Sequence, residues 1–235
     1  MENAILMAAG LGTRMRPLTE RMPKPLIPVG DVPMVETVIA GLERRGVDGI
    51  YVVAGYLGGQ FRYLEEKYEG LHIIGNPDYD RANNISSVYY AREILRRGHC
   101  FICEADLYVS DGAVFEGAPA YSCYFGKMVP GFSDDWVFDV RDDGQITRVG
   151  RQGSDCYNMV GIAYFREREA ALLADAVEKA YGDKGCRGLF WDEVADAHLG
   201  ELGLRVHPVS ADAVVELDTP QELEAFRRKR VRGLL

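Results

Sequence analysis

The sequence predicts an α/β fold in which a mostly parallel central sheet is followed by a small β-rich insertion. Three observations support this prediction. Short apolar runs alternate four times with segments of helical periodicity before residue 110, and the links between them are short. After Asp111 the pattern changes to short strands separated by Gly and Asp turns. Because parallel strands need a crossover connection, usually a helix, the repeated alternation indicates βαβ units.

The first part of the chain begins with the apolar run Ala4–Ala9, which is continuous and is stopped by Gly10. Such a run is typical of a central parallel strand that is buried on both faces. A first helix is predicted between Pro33 and Gly46, where apolar residues recur at helical spacing. The same criteria predict strands at 50–53, 71–74 and 100–103 and helices at 61–68 and 84–98.

The second part is predicted to begin with four strands, at 121–125, 136–140, 146–149 and 159–165, with a hairpin turn at 142–144. Helices at 167–181 and 191–199 and strands at 204–209 and 213–217 follow. Thr219 and Glu222 form a capping box with Pro220 at the first helical position, so the last helix is predicted to begin there. No repeat or linker divides the chain, which predicts one domain over 1–235.

The composition excludes several classes of partner. With 27 basic and 36 acidic residues the formal net charge is −9, and such a surface repels nucleic acid and anionic membranes. No apolar run approaches the length of about 20 residues that spans a bilayer, and no leader pattern is present. Five cysteines at irregular spacing predict reduced thiols in a cytoplasmic protein, with Cys100 and Cys103 buried in a strand rather than bound to zinc. No feature predicts an oligomeric state.

The most informative segment follows the first strand. Residues 8–19 read AAGLGTRMRPLT, and PKPL follows at 23–26. The two glycines allow the backbone to approach a phosphate and to point N–H groups at it, and Arg14, Arg16 and Lys24 add positive charge. The spacing of the glycines and Lys24 does not match a P-loop. It does not match a dinucleotide GxGxxG either, because position 15, where the third Gly would be needed, is Met. The segment therefore predicts a phosphate-binding loop of another type.

Residues 9–17 and 24–26 closely resemble the signature of the nucleotidyltransferases that activate sugar-1-phosphates and phospho-alcohols. Segments 76–77, 83–84, 104–106, 135–136, 191–192 and 216–218 resemble in particular the CTP:phosphocholine cytidylyltransferases and the related CTP:phosphonate enzymes. The resemblance implies a Rossmann-like, GT-A-like fold with a nucleotide-binding half over 1–110 and an acceptor-binding half over 111–235. It also implies transfer of CMP from CTP to phosphocholine or 2-aminoethylphosphonate, with release of pyrophosphate.

Two pairs of acids are candidates for metal binding. Glu104 and Asp106 end the fourth strand on the same side of the sheet, and Glu216 and Asp218 precede the last helix. The resemblance maps Asp106 and Asp218 onto the family's Mg²⁺-binding aspartates, although Asp218 could also act through the helix N-terminus. Lys24 and Arg14 are the predicted catalytic cations, with Lys24 on the α-phosphate or the acceptor and Arg14 on the departing pyrophosphate.

The predicted substrate-binding residues follow from the same reasoning. Those expected to bind the nucleotide are Ala8, Ala9, Gly10, Leu11, Gly12, Thr13, Gly55, Tyr56, Asn83 and Asn84, with a helix N-cap as the alternative for Asn84. Those expected to bind the acceptor are Asp135, Trp136, Trp191, Asp192 and Glu216, with a core position as the alternative for each tryptophan. Aromatic rings suit a quaternary ammonium, and acids suit a primary ammonium.

The acceptor and the reaction class keep alternatives open. The choline-type pattern is aromatic after residue 84, whereas this chain has Ile85-Ser86-Ser87, which favours aminoethyl acceptors. Both acceptor types remain candidates. A sugar-1-phosphate nucleotidyltransferase shares the N-terminal loop, and a non-catalytic nucleotide sensor could retain the fold. A sensor, however, need not keep Lys24, Asp106 and Asp218 together.

Overall fold

A computed structural model describes residues 1–117, 119–183, 185 and 187–231 of the chain. The strands are β1 (Glu2–Ala8), β2 (Pro28–Val29), β3 (Val32–Pro33), β4 (Gly49–Ala54), β5 (Leu71–Gly75), β6 (His99–Glu104), β7 (Leu107–Val109), β8 (Cys123–Val140), β9 (Ile146–Phe165), β10 (Arg205–Pro208) and β11 (Val214–Glu216). The α-helices are α1 (Met34–Arg45), α2 (Tyr63–Lys67), α3 (Ile85–Leu95), α4 (Glu167–Gly182), α5 (Trp191–Ala197), α6 (Leu199–Leu202) and α7 (Pro220–Val231).

The main sheet has seven strands in the order β10-β8-β9-β6-β1-β4-β5. Strands β6, β1, β4 and β5 are parallel neighbours, and β10 is parallel to β8, whereas β9 runs antiparallel to both of its neighbours. The predicted α/β class with a mostly parallel sheet is confirmed. From β1 the chain continues to β4 and β5 on one side and returns to β6 on the other. This reversal creates a crevice at the carboxyl ends of β1 and β6.

An apolar layer covers each face of the sheet. In β1, Ile5 faces the layer that contains α3, α4 and α5, while Ala4 and Leu6 face the layer that contains α1 and α2. All three residues are fully buried. Burial on both faces explains why the sequence of β1 is an uninterrupted apolar run rather than an alternating one.

The second part of the chain departs from the prediction. The four strands predicted between 121 and 165 are two long ones, β8 and β9, which form a single hairpin. The Pro, Gly and Asp residues at 130–135 suggested a loop, but the ribbon absorbs them as irregularities in register, with Gly131 at a φ of 76°. The hairpin also folds back, so that Val137 pairs with both Gly150 and Asn158.

Smaller departures concern the helices. The helix predicted at 191–199 divides at His198 into α5 and α6, and the helix predicted at 61–68 contains only one α-helical turn and a half, in α2. The hairpin turn at 142–144 is confirmed, because the N–H of Gly144 donates to the carbonyl of Arg141 at 2.8 Å. Cys100, Cys103, Cys123 and Cys156 are free thiols, and Cys186 lies outside the described residues.

A separate apolar cluster attaches the last helix to the N-terminal loop. Met15 and Ile27 pack with Tyr108 of β7 and with Leu223 and Phe226 of α7. Two arginines of α7 also contact β2. Arg227 donates a hydrogen bond to the carbonyl of Pro28, and Arg230 donates one to the carbonyl of Val29. Residues near both ends of the chain are therefore held on one side of the crevice.

Candidate active site

A cleft of about 710 Å³ opens at the crevice beyond β1 and β6. Both parts of the chain contribute to its walls. The lining residues are Met7, Ala8, Ala9, Gly10, Gly12, Arg14, Lys24, Pro25, Asn76, Tyr79, Ala82, Asn83, Asn84, Ser86, Ser87, Glu104, Asp106, Asp134, Asp135, Trp136, Arg151, Met159, Gly161, Phe190, Glu216 and Asp218. Six of these are acids and three are basic, so the cleft favours cationic ligands and metal-bound anions.

The loop after β1 presents backbone donors to this cleft. Gly12 has a φ of 60°, and a β-carbon there would lie 3.0 Å from side-chain atoms of Lys24 and Thr19. Glycine adopts this left-handed conformation readily, and the Thr19 hydroxyl fixes it by donating to the Gly12 carbonyl at 2.8 Å. Among the described residues no backbone carbonyl accepts from the N–H groups of residues 10–13. These donors are available to phosphate oxygens.

Lys24 lies between the two predicted metal-binding aspartates. Its Nζ is 2.7 Å from Oδ2 of Asp106 and 2.7 Å from Oδ1 of Asp218. The residue is only 8% exposed. Burial opposes the charge on the ammonium group, but the ion pairs and hydrogen bonds with both aspartates outweigh it, so the pKa of Lys24 is raised above its ordinary value. The lysine is therefore a fixed positive charge at the floor of the cleft.

Pairing of two short strands brings the aspartates together. Asp106 lies in the turn between β6 and β7, and Asp218 lies two residues beyond the end of β11. Strands β7 and β11 pair antiparallel, with Leu107 opposite Glu216. The N–H groups of Asp218 and Thr219 both donate to Oε2 of Glu222 at 2.9 Å, which confirms the predicted capping box and fixes the backbone beside Asp218.

Arg14 completes the charged cluster from the solvent side. Its guanidinium lies 3.0 Å from Oδ2 of Asp218, and 72% of its side chain is exposed. An exposed ion pair of this kind contributes little to stability and leaves the arginine able to turn toward a ligand. Arg16, in contrast, does not line the cleft.

The donor set of the cleft fits a magnesium ion that arrives with a nucleotide. Mg²⁺ typically takes one or two protein carboxylates and completes its coordination with water and phosphate oxygens. Asp106 and Asp218 supply two half-buried carboxylates that both touch one nitrogen. Within the described residues, no group of three His, Cys, Asp or Glu side chains is arranged to hold a metal by itself. Two carboxylates without a third are the set expected when phosphates provide the remaining ligands.

Two further carboxyl groups on the cleft floor hold their protons unusually tightly. Burial, together with repulsion from Asp106 and Glu216, raises the pKa of Glu104 well above its ordinary value. Burial also raises the pKa of Glu216 to about 7, with a smaller contribution from Asp135. A cationic group in the cleft would relieve this crowding of negative charge.

The residues predicted to bind the nucleotide only partly face the cleft. Those that line it are Ala8, Ala9, Gly10, Gly12, Asn83 and Asn84. Leu11 and Thr13 do not line it and are exposed, so the loop contributes its backbone rather than these side chains.

The structure corrects the prediction for Gly55 and Tyr56, neither of which lines the cleft. A β-carbon on Gly55 would lie 2.5 Å from the side chain of Tyr79, a residue that does line the cleft. The N–H of Tyr56 donates to the carbonyl of Ala9 at 3.1 Å, and its hydroxyl donates to the carbonyl of Thr19 at 3.0 Å. Both residues support the cleft wall from behind.

Asn84 occupies the N-cap position of α3, but its side chain does not cap that helix. Its Oδ1 instead accepts from the N–H of Trp191 at 2.9 Å, the first residue of α5. The neighbouring Asn83 donates from its amide to the carbonyl of Gly188 at 3.2 Å. The two asparagines thus connect the nucleotide side of the cleft to the segment before α5.

The predicted acceptor residues separate into two groups. Asp135, Trp136 and Glu216 line the cleft. Trp191 and Asp192 do not, and the structure corrects their assignment. Trp191 is 3% exposed and stacks on the ring of Tyr124 at 5.5 Å, and Asp192 accepts from the hydroxyl of the same tyrosine at 3.1 Å. Burial raises the pKa of Asp192 to about 7. The acids beside a tryptophan suggested an acceptor site, but this pair belongs to the core.

The sequence analysis assigned no binding role to several lining residues. The amide of the buried Asn76 donates to the hydroxyls of Ser86 at 2.9 Å and Ser87 at 3.2 Å, which together form a polar patch on the wall. The signal was the pair of serines at the start of α3, where both are buried beside Ile85. Arg151 and Phe190 were also missed, and neither lies in a motif.

The loop after β1 and the two carboxylates line one cleft, which is large enough for a nucleotide. On a mostly parallel α/β sheet, with a lysine between them, this arrangement is that of a nucleotidyltransferase. The comparisons with known proteins agree with this class. Residues 4–120 match the family model of the MobA-like NTP transferase domain.

Full-length relatives narrow the class. The chain is 52% identical to 2-aminoethylphosphonate cytidylyltransferase of Lancefieldella rimae, over 95% of this chain and 91% of the relative. It is 30% identical to choline-phosphate cytidylyltransferase of Streptococcus pneumoniae, over 93% and 94%. The solved structure of CTP:phosphocholine cytidylyltransferase from Streptococcus pneumoniae superposes with a TM-score of 0.88 at 29% identity, over 97% of this chain and 98% of that one. The chain belongs to this cytidylyltransferase family.

The helices offer no membrane segment. Of those in the described part of the chain, none combines the length and the apolar character needed to cross a bilayer.

Proposed function

We propose that this protein transfers CMP from CTP to 2-aminoethylphosphonate and releases pyrophosphate, in a reaction that depends on Mg²⁺. One observation carries the proposal: the Nζ of Lys24 lies 2.7 Å from both Asp106 and Asp218, beside a loop whose backbone N–H groups bond no backbone carbonyl among the described residues. This is the convergence of positive charge and carboxylates that a triphosphate–metal complex requires. The nucleotide and the acceptor are proposed from the family relationship and from the chemistry of the cleft.

In the proposed reaction a phosphonate oxygen of the acceptor attacks the α-phosphorus of CTP. The new P–O–P bond forms as the bond to the β-phosphate breaks, and pyrophosphate carries away the electron pair. When bound, Mg²⁺ would neutralise phosphate charge beside Asp106 and Asp218. Lys24 stabilises the negative charge that develops around the α-phosphate, and Arg14 with the amides of residues 10–13 holds the pyrophosphate. The protein supplies no nucleophile, so positioning and charge do the catalytic work.

Three observations support the aminoethyl acceptor over the choline acceptor. The relative at 52% identity is named for 2-aminoethylphosphonate, whereas the choline-phosphate relative is at 30%. In addition, Trp191 is buried in the core and cannot join Trp136 in an aromatic cage. The acids on the cleft wall, Asp134, Asp135 and Glu216, can accept hydrogen bonds from a primary ammonium, which a quaternary ammonium cannot donate.

A pyrophosphate-release assay tests the proposal. Each of the four NTPs is combined with 2-aminoethylphosphonate, phosphocholine or glucose-1-phosphate, with Mg²⁺ or with EDTA. We expect the largest kcat/KM for CTP with 2-aminoethylphosphonate and no turnover in EDTA. Preference for a sugar phosphate would identify a sugar-1-phosphate nucleotidyltransferase, and no release with any pair would favour a nucleotide sensor.

Substitution of the charged cluster links the activity to this cleft. Asp106→Ala should lower kcat by about 10²–10³-fold, the loss typical of removing one preorganised charge from a transition state. Asp175→Ala is a matched control, because Asp175 also forms an ion pair, with Arg96, and does not line the cleft. Normal turnover in the Asp106 variant would contradict the assignment. We also propose a cytoplasmic location, which the free thiols and the use of CTP support.

A further inference from the structure

An arginine covers the aromatic wall of the acceptor end of the cleft. Trp136 in β8 and Phe190 before α5 meet edge to face, with ring centroids 5.3 Å apart. The guanidinium carbon of Arg151 lies 5.0 Å from the Trp136 centroid and 5.6 Å from the Phe190 centroid. All three residues line the cleft. These distances are those of cation–π contacts, so the protein's own cation occupies the faces that an ammonium ligand would use.

The arrangement is built into the hairpin. Trp136 of β8 and Arg151 of β9 are directly opposite each other in the pairing register, which places their side chains next to one another. Arg148, three residues earlier in β9, instead forms an ion pair with Asp139, at 2.6 Å. In the part of the chain that the structure describes, the Arg151 guanidinium forms no such ion pair, and it lies against the two aromatic rings instead.

We propose that Arg151 is a specificity-determining residue that excludes acceptors with a quaternary ammonium. A trimethylammonium group has no N–H donors and depends on aromatic faces for recognition. Here it must displace a guanidinium that already covers those faces. A primary ammonium avoids this competition, because it can donate hydrogen bonds to carboxylates such as Asp135 and Glu216 on the same wall. The protein thus discriminates against a quaternary ammonium because Arg151 already occupies the aromatic faces, and not because the aromatic faces are absent.

The proposal rests on the proposed function, and a matched substrate pair tests it. 2-Aminoethylphosphonate and its N,N,N-trimethyl derivative differ only in methylation of the nitrogen. The quantity measured is the ratio of kcat/KM for the trimethyl acceptor to kcat/KM for the parent. Arg151→Ala should raise this ratio about tenfold, which corresponds to about 1.4 kcal/mol and lies within the range of a cation–π contact. Arg151→Gln serves as a second neutral variant.

Three controls identify the cause of a change. Arg151→Lys keeps a cation near the rings and should keep the ratio close to that of the wild type. Trp136→Leu added to Arg151→Ala should abolish the gain, because the exposed aromatic face is lost. Arg141→Ala removes an arginine from the turn of the same hairpin but outside the cleft, where it bonds Gln145, and should not change the ratio.

The outcomes separate this proposal from the proposed function. If the wild type does not turn over CTP and 2-aminoethylphosphonate, the proposed function fails. If it does, but both neutral variants leave the ratio unchanged, the role of Arg151 is refuted. A loss of activity with both acceptors at a constant ratio would also refute it, since Arg151 would then bind the phosphonate common to both.

Discussion

The assignment of Asp192 to the core can be tested by a stability measurement that needs no substrate. This carboxyl group is 4% exposed, and it accepts a hydrogen bond from Tyr124. Burial raises its pKa from 3.8 to about 7. The folded protein therefore holds the proton of Asp192 to a higher pH than the unfolded chain does. The stability that this group confers is complete below about pH 4 and is lost as the pH rises through 7.

The magnitude follows from these two pKa values. Between pH 5.5 and pH 8 the contribution of Asp192 to the free energy of unfolding should fall by about 2 kcal/mol. Asp192→Asn mimics the neutral carboxyl and cannot ionise, so this fall should disappear. The variant should gain about 2 kcal/mol relative to the wild type over the same interval, whatever their difference at pH 5.5.

Urea unfolding of both proteins at pH 5.5, 6.25, 7 and 8, followed by circular dichroism, measures the difference. The lower limit stays above the sequence pI near 5.0, where solubility is lowest. Equal pH dependence in the two proteins would refute the buried carboxyl. If Asp192→Asn instead raised the acceptor KM and left stability unchanged, the original assignment to the acceptor site would be correct.

Three further predictions concern the cleft and its supports. Lys24→Met should lower kcat by at least about 10²-fold with an unchanged circular dichroism spectrum. It should also strengthen Mg²⁺ binding in the absence of nucleotide, measured by calorimetry, because two carboxylates lose their partner cation. Weaker Mg²⁺ binding would place the metal elsewhere. Trp191→Ala should lower the free energy of unfolding in urea by about 3–5 kcal/mol, whereas Trp136→Ala should chiefly raise the acceptor KM. The reverse pattern would show that Trp191 belongs to the acceptor site. Gly55→Ala should lower the free energy of unfolding by about 1–3 kcal/mol and raise the KM for CTP, because its β-carbon would lie 2.5 Å from Tyr79 of the cleft wall. Gly59→Ala, where a β-carbon meets open space, is the control. Two variants of equal stability would contradict the packing argument.

The sequence predicted most of the first part of the fold and the charged cluster, for a physical reason. Buried parallel strands, glycines at helix ends and a capping box at Thr219 leave local patterns that depend on few distant contacts. The convergence of Lys24, Asp106 and Asp218 was predicted from strand ends and from the family resemblance. In the structure it depends on the pairing of β7 with β11.

The acceptor side was predicted less well because its side chains are placed by long-range packing. Trp136 and Trp191 both follow or precede acids, and nothing local tells which ring faces the cleft. The fold of the β8–β9 hairpin decides the matter, because it turns Trp136 and Arg151 toward the cleft, while Tyr124 stacks on Trp191 in the core. Turn-forming residues inside the hairpin also hid the continuity of the two strands.

The attachment of α7 to the N-terminal loop has a consequence for synthesis of the chain. Asp218, a partner of Lys24, is made 194 residues after it, and the packing residues Leu223 and Phe226 follow. The exit tunnel still holds these residues when almost all of the central sheet has emerged. Nascent chains therefore acquire a sheet before they acquire a complete charged cluster, and the cleft gains its second aspartate only after that sheet has emerged.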